Sequence, residues 1–255
     1  MEAAIEISNL RKSFDGGNEF VLKGIDLSIP KGSITMIIGF SGTGKSVLMK
    51  HILGLMKPTE GSVRVLGKSL NDMTRAERLK YRINLGVMFQ YSALFDDMTA
   101  LENVIFPMFE HRKDLSREEM TRIASVKLEQ AGFSEKHFGK IPSEMSGGMR
   151  KRVGLARALS LDPEVLLYDE PTTGLDPILT EMVDDLIYNT HNSKGGHTSV
   201  VISHDLHAAF RIGDHVVMLH EGKVLKQGLP EEFLNSSDPL IQKFVNTGVR
   251  KKNNV

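Results

Sequence analysis

The chain has 255 residues, of which 40% are hydrophobic and 25% are charged, a size and apolar content that favour one buried core with lobes over two full-sized domains. Lysine plus arginine equals aspartate plus glutamate, at 32 each, so the chain lacks the overall basic charge that drives binding to nucleic acid. Cysteine is absent, which excludes disulfides and thiolate chemistry and agrees with a reducing compartment.

The first part of the chain predicts antiparallel strands. Apolar and polar residues alternate with period two at residues 5–7, 25–29 and 63–65. The same alternation makes the first ten residues unlike a signal peptide, and no apolar stretch approaches the ~20 residues that span a bilayer. We therefore expect the chain to stay in the cytosol.

Residues 39–46 predict a phosphate-binding loop. They read Gly-Phe-Ser-Gly-Thr-Gly-Lys-Ser and fit the template of a glycine, four residues and Gly-Lys-Ser in full. In such a loop the backbone amides face the phosphates, Lys45 supplies a mobile positive charge, and the Ser46 hydroxyl can ligate magnesium. An apolar run at 34–38 and helical spacing at 48–55 supply the flanking strand and helix, which disfavours a chance glycine-rich turn. The predicted ATP contacts are Gly39, Ser41, Gly42, Thr43, Gly44, Lys45, Ser46 and Val47.

Two residues outside this loop are candidates for the same nucleotide. Phe14 either stacks on adenine or is buried in the core beside the strands. Gln90 ends the predicted strand at 86–89, where its amide can touch magnesium or the attacking water. Both side chains are therefore predicted to belong to the nucleotide site.

The middle of the chain, from about residue 99 to residue 159, predicts a helical lobe. Apolar residues recur there at helical spacing, with breaks at 132–134 and 141–143. Within this stretch Ser146-Gly147-Gly148 predicts a second phosphate contact, because Ser146 is a good N-cap and the apolar residues of a helix follow it.

The first turns of that helix carry three positive residues, Arg150, Lys151 and Arg152. Positive charge near the positive end of a helix dipole is unfavourable, so we expect a bound anion or nearby carboxylates to compensate it. The alternative interpretation is a solvated basic face.

An apolar strand at 165–168 leads into two adjacent carboxylates, Asp169 and Glu170. Ligands of open α/β sheets bind at the carboxyl ends of the strands. We predict that Asp169 holds magnesium and that Glu170 orients and activates the attacking water, as phosphoryl transfer requires. The alternative is an ordinary acidic turn.

His204 follows the strand at 198–203 and is predicted to sense the terminal phosphate, while the other interpretation makes it structural.

The last part of the chain predicts the remainder of a parallel sheet. A helix at about 179–191 separates the strands at 165–168 and 198–203, which is the alternation typical of such a sheet. Residues 216–225 predict a hairpin that turns at Glu221-Gly222. Residues 246–255 predict a polar, basic tail.

Over nearly its whole length the chain resembles the nucleotide-binding subunits of ABC transporters. The resemblance runs in order through Phe14, residues 39–46, Gln90, Ser146-Gly147-Gly148, Asp169-Glu170, Asp176 and His204. It implies an α/β fold, a P-loop NTPase (RecA-like) core with an antiparallel β subdomain and an inserted helical subdomain. It also implies one ABC ATPase domain over 1–245, with the core and β subdomain at 1–92 and 160–245 and the helical subdomain at 93–159.

The same resemblance implies ATP and Mg²⁺ as cofactors and a homodimer that encloses two ATP molecules. Each ATP is then held between the phosphate loop of one copy and Ser146, Gly147 and Gly148 of the other, with Asp176 at the dimer interface. The most common family signature is Leu-Ser-Gly-Gly-Gln, whereas Met149 stands here in place of the glutamine. The contacts of the glutamine side chain are therefore lost, while the backbone amides remain.

Within the family, four segments are similar to the ATPases of Mla-type lipid transporters: residues 46–52, 93–96, 144–152 and 168–178. This resemblance implies phospholipid transport powered by ATP hydrolysis, with a multipass permease and an MCE-domain lipid carrier as partners. It also implies a peripheral place at the cytoplasmic face of the inner membrane. Ser-Gly-Gly-Met also occurs in peptide importers, so another ABC importer or exporter stays open as an alternative. Size and charge disfavour a soluble ATPase that acts on nucleic acid or ribosomes.

A permease would need a docking surface on this subunit. Apolar residues after Gln90 either line a groove for it or fill the core of the helical lobe, and the sequence does not divide them. These residues are Tyr91, Leu94, Phe95, Met98, Phe106, Met108 and Phe109.

Overall fold

The computed structural model describes residues 2–193 and 196–250, with side chains described through residue 246. Its strands are β1 (Ala3–Ser13), β2 (Phe20–Pro30), β3 (Ile34–Ile38), β4 (Glu60–Val65), β5 (Lys68–Ser69), β6 (Leu85–Met88), β7 (Val165–Asp169), β8 (Thr198–Ile202), β9 (His215–His220) and β10 (Lys223–Gly228). Its α-helices are α1 (Lys45–Ile52), α2 (Arg75–Arg82), α3 (Ala100–His111), α4 (Arg117–Gln130), α5 (Gly147–Leu159), α6 (Pro177–Asn192), α7 (Leu206–Ile212), α8 (Pro230–Leu234) and α9 (Pro239–Arg250).

The chain divides into two compact units, which are described separately. Unit 1 consists of Met1–Arg78 and Thr198–Val255, and unit 2 is Leu79–His197. The helical subdomain predicted at 93–159 lies inside unit 2.

Unit 1 contains the predicted antiparallel sheet, with strand order β2-β1-β4-β5. Ile5 of β1 lies opposite Ile29 of β2 and Val65 of β4. All three side chains are buried, because residues directly opposite one another on neighbouring strands point to the same face of the sheet.

Unit 1 also contains the adjacent strands β10-β9-β3-β8. β3 is parallel to both β8 and β9, and all five of its residues are buried, as expected for a strand covered on both faces. β9 and β10 form the predicted hairpin, in which Glu221 and Gly222 have φ values of 46° and 78°. These left-handed conformations suit a two-residue turn of type I′.

Unit 2 contains the parallel pair β6 and β7 and the predicted helical lobe. Helices α3 and α4 each begin with a capping box, at Thr99 and Ser116. α3, α4 and α5 share one apolar core that includes Val104, Met108, Leu128, Phe133 and Val153. The mixed α/β architecture, with helices inserted between β6 and β7, is the predicted one.

Three features differ from the sequence predictions or were missed by them. α2 was missed because most of its residues are charged, so no apolar period announces it. α9 extends to Arg250, so the boundary predicted for the basic tail at residue 246 falls within a helix, and residues 251–255 lie outside the described residues. α8, a helix of five residues, was missed because it is too short to show a period.

Candidate functional site

The phosphate-binding loop lies in unit 1 between β3 and α1. Lys45, the first residue of α1, is 8% exposed, and its Nζ donates hydrogen bonds to the carbonyl oxygens of Gly39 at 2.8 Å and Phe40 at 3.1 Å. The loop thereby holds a positive charge beside the first-turn amides of α1, which have no partners within the helix. This arrangement suits a phosphate group.

Two glycines allow this loop to approach its neighbours closely. A Cβ on Gly39 would lie 2.4 Å from the carbonyl oxygen of Leu219, and a Cβ on Gly44 would lie 2.6 Å from Cδ2 of Leu22. Their φ values of 150° and 99° also favour glycine. The loop therefore has its shape because side chains are absent at these two positions.

The other loop residues differ in their exposure. Ser41, Gly42 and Ser46 are exposed, whereas Thr43 is buried and its hydroxyl donates a hydrogen bond to the carbonyl oxygen of Phe40 at 3.0 Å. The hydroxyls of Ser41 and Ser46 are therefore accessible to a ligand, while Thr43 supports the loop from inside.

Phe14 lies in the loop after β1 and is 62% exposed, so the alternative that it is buried in the core is wrong. The Nζ atom of Lys12 lies 5.3 Å from the centroid of the Phe14 ring. The same atom donates a hydrogen bond to the carbonyl oxygen of Lys57 at 3.0 Å. A cation on one face of an aromatic ring is a favourable contact. The exposed ring is suited to stacking on a planar base.

His204 leaves the same sheet edge as the phosphate-binding loop. Ile37 of β3 pairs with Ile202 of the parallel strand β8, so the residues that follow both strands emerge at their shared carboxyl edge. His204 is exposed at this edge, and Asp205 beside it caps α7 by accepting a hydrogen bond from the backbone amide of His207 at 2.8 Å.

In unit 2 the parallel pairing of β6 and β7 brings Gln90 and the two carboxylates to one edge. Met88 lies opposite Tyr168, so Gln90 follows one strand where Asp169 and Glu170 end the other. Glu170 has a φ of 48° and accepts a hydrogen bond from the Thr173 hydroxyl at 3.1 Å. A non-glycine residue held in the left-handed region is a recurrent feature of active sites.

The start of α5 lies against the start of α6 in unit 2. Ser146 caps α5, with its Oγ accepting a hydrogen bond from the backbone amide of Met149 at 3.3 Å. A Cβ on Gly148 would lie 3.2 Å from Cδ2 of Leu179. Asp176 caps α6 by accepting a hydrogen bond from the amide of Leu179 at 3.0 Å. The structure thus brings the Ser-Gly-Gly segment and the Asp176 segment together.

Within the part of the chain that the structure describes, the three cations of α5 do not have the carboxylate partners that were one of the predicted alternatives. Among the described residues they donate hydrogen bonds to backbone carbonyl oxygens instead of carboxylates. Arg150 donates to the carbonyl oxygen of Met145 at 2.6 Å, Lys151 to that of Gln90, and Arg152 to that of Gly132. Lys151 is only 5% exposed, so a solvated basic face is also wrong for this residue. Burial lowers the pKa of Lys151 to about 8.

The apolar residues after Gln90 lie in different surroundings. Met98, Phe106 and Phe109 line a groove of about 380 Å³ in unit 2, together with Ile105, Asp97, Glu102 and Arg117. By contrast, Met108 is buried in the lobe core and Leu94 packs against that core. Tyr91 is 81% exposed and does not line the groove.

Two residues that the sequence analysis missed organise the segment between β6 and α3. Asn103 is fully buried, accepts a hydrogen bond from the amide of Phe95 at 2.9 Å and donates to the carbonyl oxygen of Met98 at 3.0 Å. Arg157 donates to the carbonyl oxygen of Ser92 at 2.6 Å. The single amide side chain on an apolar helix face could have identified Asn103 from the sequence. Arg157 binds a residue 65 positions away, so no local sequence pattern identifies it.

Each residue that was predicted to hold magnesium offers an oxygen atom, the kind of ligand that Mg²⁺ prefers. The Ser46 hydroxyl does so in unit 1, and the Gln90 amide and the Asp169 carboxylate do so in unit 2. Within the described ranges, no group of three or more histidine, aspartate and glutamate side chains forms a metal cluster. None of the helices in those ranges combines the length and apolar character needed to cross a membrane.

The strand-loop-helix at Lys45, the carboxylates at the end of β7 and the Ser-Gly-Gly helix define a P-loop ATPase. The chain belongs to the ABC transporter family, whose profile matches residues 22–173. It is accordingly an ATP-hydrolysing subunit of an ABC transporter.

Named relatives are similar over nearly the whole chain. The probable ribonucleotide transport ATP-binding protein mkl of Mycobacterium leprae is 38% identical over 248 residues, which cover 96% of this chain and 70% of that protein. The intermembrane phospholipid transport system ATP-binding protein MlaF of Haemophilus influenzae is 36% identical over 241 residues, which cover 94% of this chain and 89% of that protein. A dimeric ATP-binding cassette solved in a post-hydrolysis state with ADP and Pi has a TM-score of 0.80 and 35% identity, covering 89% of this chain and 98% of that one.

Proposed function

We propose that this subunit hydrolyses ATP to power phospholipid transport between membranes, together with a permease and an MCE-domain lipid carrier. The supporting observation is the similarity to MlaF, which is 36% identical and extends over 94% of the chain. In this role the subunit lies at the cytoplasmic face of the inner membrane and is attached through the permease.

Another ABC importer or exporter is the second candidate. The observation that favours it is the similarity to mkl, whose name specifies ribonucleotide transport, at 38% identity. Both candidates use the same ATPase residues, so only the partner and the cargo separate them.

The phosphate-binding loop provides one half of the proposed ATP site. Residues 39–47 wrap the phosphates with backbone amides, and the Lys45 ammonium exchanges its bonds to loop carbonyls for bonds to phosphate oxygens. Phe14 stacks on adenine through its exposed ring. His204 contacts the terminal phosphate from the carboxyl end of β8.

The end of β7 provides the residues for hydrolysis. Asp169, Ser46 and Gln90 would hold Mg²⁺, and the bound ion would neutralise charge on the phosphate oxygens. Glu170 accepts a hydrogen bond from the attacking water and takes its proton as the bond to the terminal phosphorus forms and the bond from that phosphorus to the bridging oxygen breaks, which releases ADP and phosphate. The hydrogen bond from Thr173 fixes one carboxylate oxygen of Glu170, which orients the other toward the water.

The start of α5 provides a phosphate contact for a second copy of the chain. Ser146, Gly147 and Gly148 present the first-turn amides of a capped helix, and these amides bind the terminal phosphate held by the partner copy. The dimer of the similar ATP-binding cassette supports this assembly. Asp176, which is exposed beside the Ser-Gly-Gly segment, contributes to the dimer interface.

The groove at Phe106 and Phe109 is the proposed permease contact. Phe109 is 52% exposed, and Phe106 packs against Phe95 with ring centroids 4.6 Å apart. Asn103 fixes the adjoining loop through its hydrogen bonds to Phe95 and Met98, so the groove is preformed. An apolar helix end of the permease would bury these aromatic rings. The charged side chains of the groove, Asp97, Glu102 and Arg117, would then face the polar side of that helix.

Phe109→Asp tests this contact because it places a charge on the exposed aromatic wall of the groove. We expect the variant to lose co-purification with the permease from detergent-solubilised membranes. Val126→Asp is the matched control, since Val126 is 43% exposed on α4 and does not line the groove. Equal recovery of the permease with both variants would contradict the assignment.

The transport assignment is tested by the identity of the partners. A tagged copy of the chain is purified from native membranes, and the bound proteins are identified by mass spectrometry. Recovery of a permease with an MCE-domain protein supports lipid transport. Recovery of a permease with a periplasmic solute-binding protein instead would favour the second candidate.

A further inference from the structure

The chain between β6 and α3 begins with a tight turn at residues 90–93. Ser92 and Ala93 have φ values of 61° and 46°, a left-handed conformation that residues with side chains adopt at an energetic cost. Two such residues in succession persist only where the surrounding structure holds them. Ser92 is 2% exposed, so neighbouring side chains surround it.

Two cationic residues of α5 bind the carbonyl oxygens of this turn. Lys151 donates a hydrogen bond from Nζ to the carbonyl oxygen of Gln90. Arg157 donates from its two terminal nitrogens to the carbonyl oxygens of Ser92 at 2.6 Å and Ala93 at 2.7 Å. Three of the four carbonyl groups of the turn are thus bound by one helix.

Between these two cations α5 touches the turn directly. Gly154 lies midway between Lys151 and Arg157 in sequence, and a Cβ at this position would lie only 3.0 Å from the Cβ of Ser92. The turn is therefore pressed against the helix at its centre and bound through its carbonyl groups on either side.

The contact made by Lys151 serves geometry better than stability. Its side chain is 5% exposed, and removing an ammonium group from water costs free energy that a methionine of similar length would avoid. A charged donor on a carbonyl oxygen, however, fixes distance and direction more strictly than an apolar contact does. Helix α5 therefore carries a cation where a hydrophobic side chain would suffice for packing.

We propose that Lys151 and Arg157 are positioning residues that fix the turn at 90–93 on α5, so that the Gln90 side chain keeps the orientation needed for hydrolysis. This inference rests on the role proposed above for Gln90. Because α5 begins directly after Ser146, the same hydrogen bonds connect Gln90 to the helix whose first turn contacts the partner's nucleotide. A displacement of α5 in the dimer is then transmitted to Gln90.

The test uses the purified full chain and steady-state ATP hydrolysis. Lys151→Met should lower kcat roughly tenfold, the effect of losing one charged hydrogen bond. The KM for ATP should stay within about twofold, because the phosphate-binding loop is untouched. Lys151→Arg keeps the charged donor and should recover most of the lost kcat. Arg152→Met is the matched control, since it removes a cation of the same helix that binds Gly132 instead of the turn, and its kcat should stay within about twofold of wild type.

A double-mutant cycle with Gln90→Ala separates positioning from folding. Gln90→Ala keeps the backbone carbonyl that Lys151 binds, so Lys151→Met should change the thermal midpoint by the same amount in both backgrounds. Its effect on kcat, in contrast, should shrink to less than about twofold when Gln90 is already alanine. A tenfold loss of kcat in both backgrounds would overturn the inference and leave the role of Gln90 intact. Wild-type kcat in Gln90→Ala alone would overturn the role of Gln90, and the inference with it.

Discussion

The two segments that are proposed to contact phosphate are built in opposite ways. The loop at 39–46 is closed on itself, because Lys45 is buried and bonded to the carbonyl oxygens of Gly39 and Phe40, and Gly39 is pressed against the end of β9. The start of α5 is open, because Ser146 caps the helix from an exposed position and the first-turn amides follow it.

This difference indicates what each segment needs for function. The loop carries its own positive charge and a full set of amides, so it suits phosphate binding within one chain. The α5 segment carries amides alone, since its cations are directed toward carbonyl groups within unit 2. It is therefore suited to complete a site that another copy has already formed.

Removing the proposed base at the end of β7, Glu170, should have the largest effect. Glu170→Gln keeps the size of the side chain and removes its ability to take a proton, so we expect kcat to fall by roughly a thousandfold or more. ATP binding persists, so the ATP-bound dimer should accumulate and be visible by light scattering after size-exclusion chromatography. Turnover near the wild-type value would show that another residue activates the water.

Replacing Phe14 should have a smaller effect, which is limited to the affinity for ATP. Phe14→Ala should weaken ATP binding roughly tenfold through the loss of stacking. The affinity is measured by fluorescence titration with a labelled ATP analogue. Phe14→Tyr is the control and should retain nearly full affinity, whereas an alanine variant with unchanged affinity would place adenine elsewhere.

The smallest expected effect is on the pH dependence of stability, and it comes from Lys151 of α5. Burial lowers the pKa of Lys151 from 10.5 to about 8, so the folded chain binds fewer protons here than the unfolded chain between these two values. The contribution of this residue to the free energy of unfolding therefore rises with pH from about 8 to about 10.5 and is lowest below pH 8.

This contribution is measured as the difference between wild type and Lys151→Met in urea unfolding. The difference should shift in favour of wild type between about pH 7 and about pH 9.5, because only wild type loses the buried charge. An identical difference at the two pH values would show that Lys151 titrates normally despite its burial.

The sequence predicted the features that depend on local patterns. The loop at 39–46 and the carboxylates after β7 follow from residue type, spacing and strand ends, and the hairpin at Glu221-Gly222 follows from its turn residues. The structure was needed where contacts join distant positions. Arg157 binds residues 64 and 65 positions away, and no spacing rule connects them.

The apolar residues after Gln90 illustrate the same limit. Met108 and Phe109 are neighbours with equal hydrophobic character, yet one is buried in the lobe core and the other lines the groove. Their helical positions differ by one residue, which rotates the side chain away from the core. Only the packing of α3 against α4 and α5 decides which side of the helix faces inward.

Intermolecular crosslinking tests most directly whether two copies complete each other's sites. The chain has no cysteine, so one tagged copy carries Ser41→Cys and a differently tagged copy carries Gly147→Cys, where a Cβ would meet only Leu175 Cδ2, at an ordinary 3.7 Å. We predict that mixing the two with ATP and an oxidant gives a disulfide-linked heterodimer, and that Lys45→Ala in the Ser41→Cys copy, which removes nucleotide binding, abolishes it. If both copies bind nucleotide and no heterodimer forms with ATP, the shared site is contradicted.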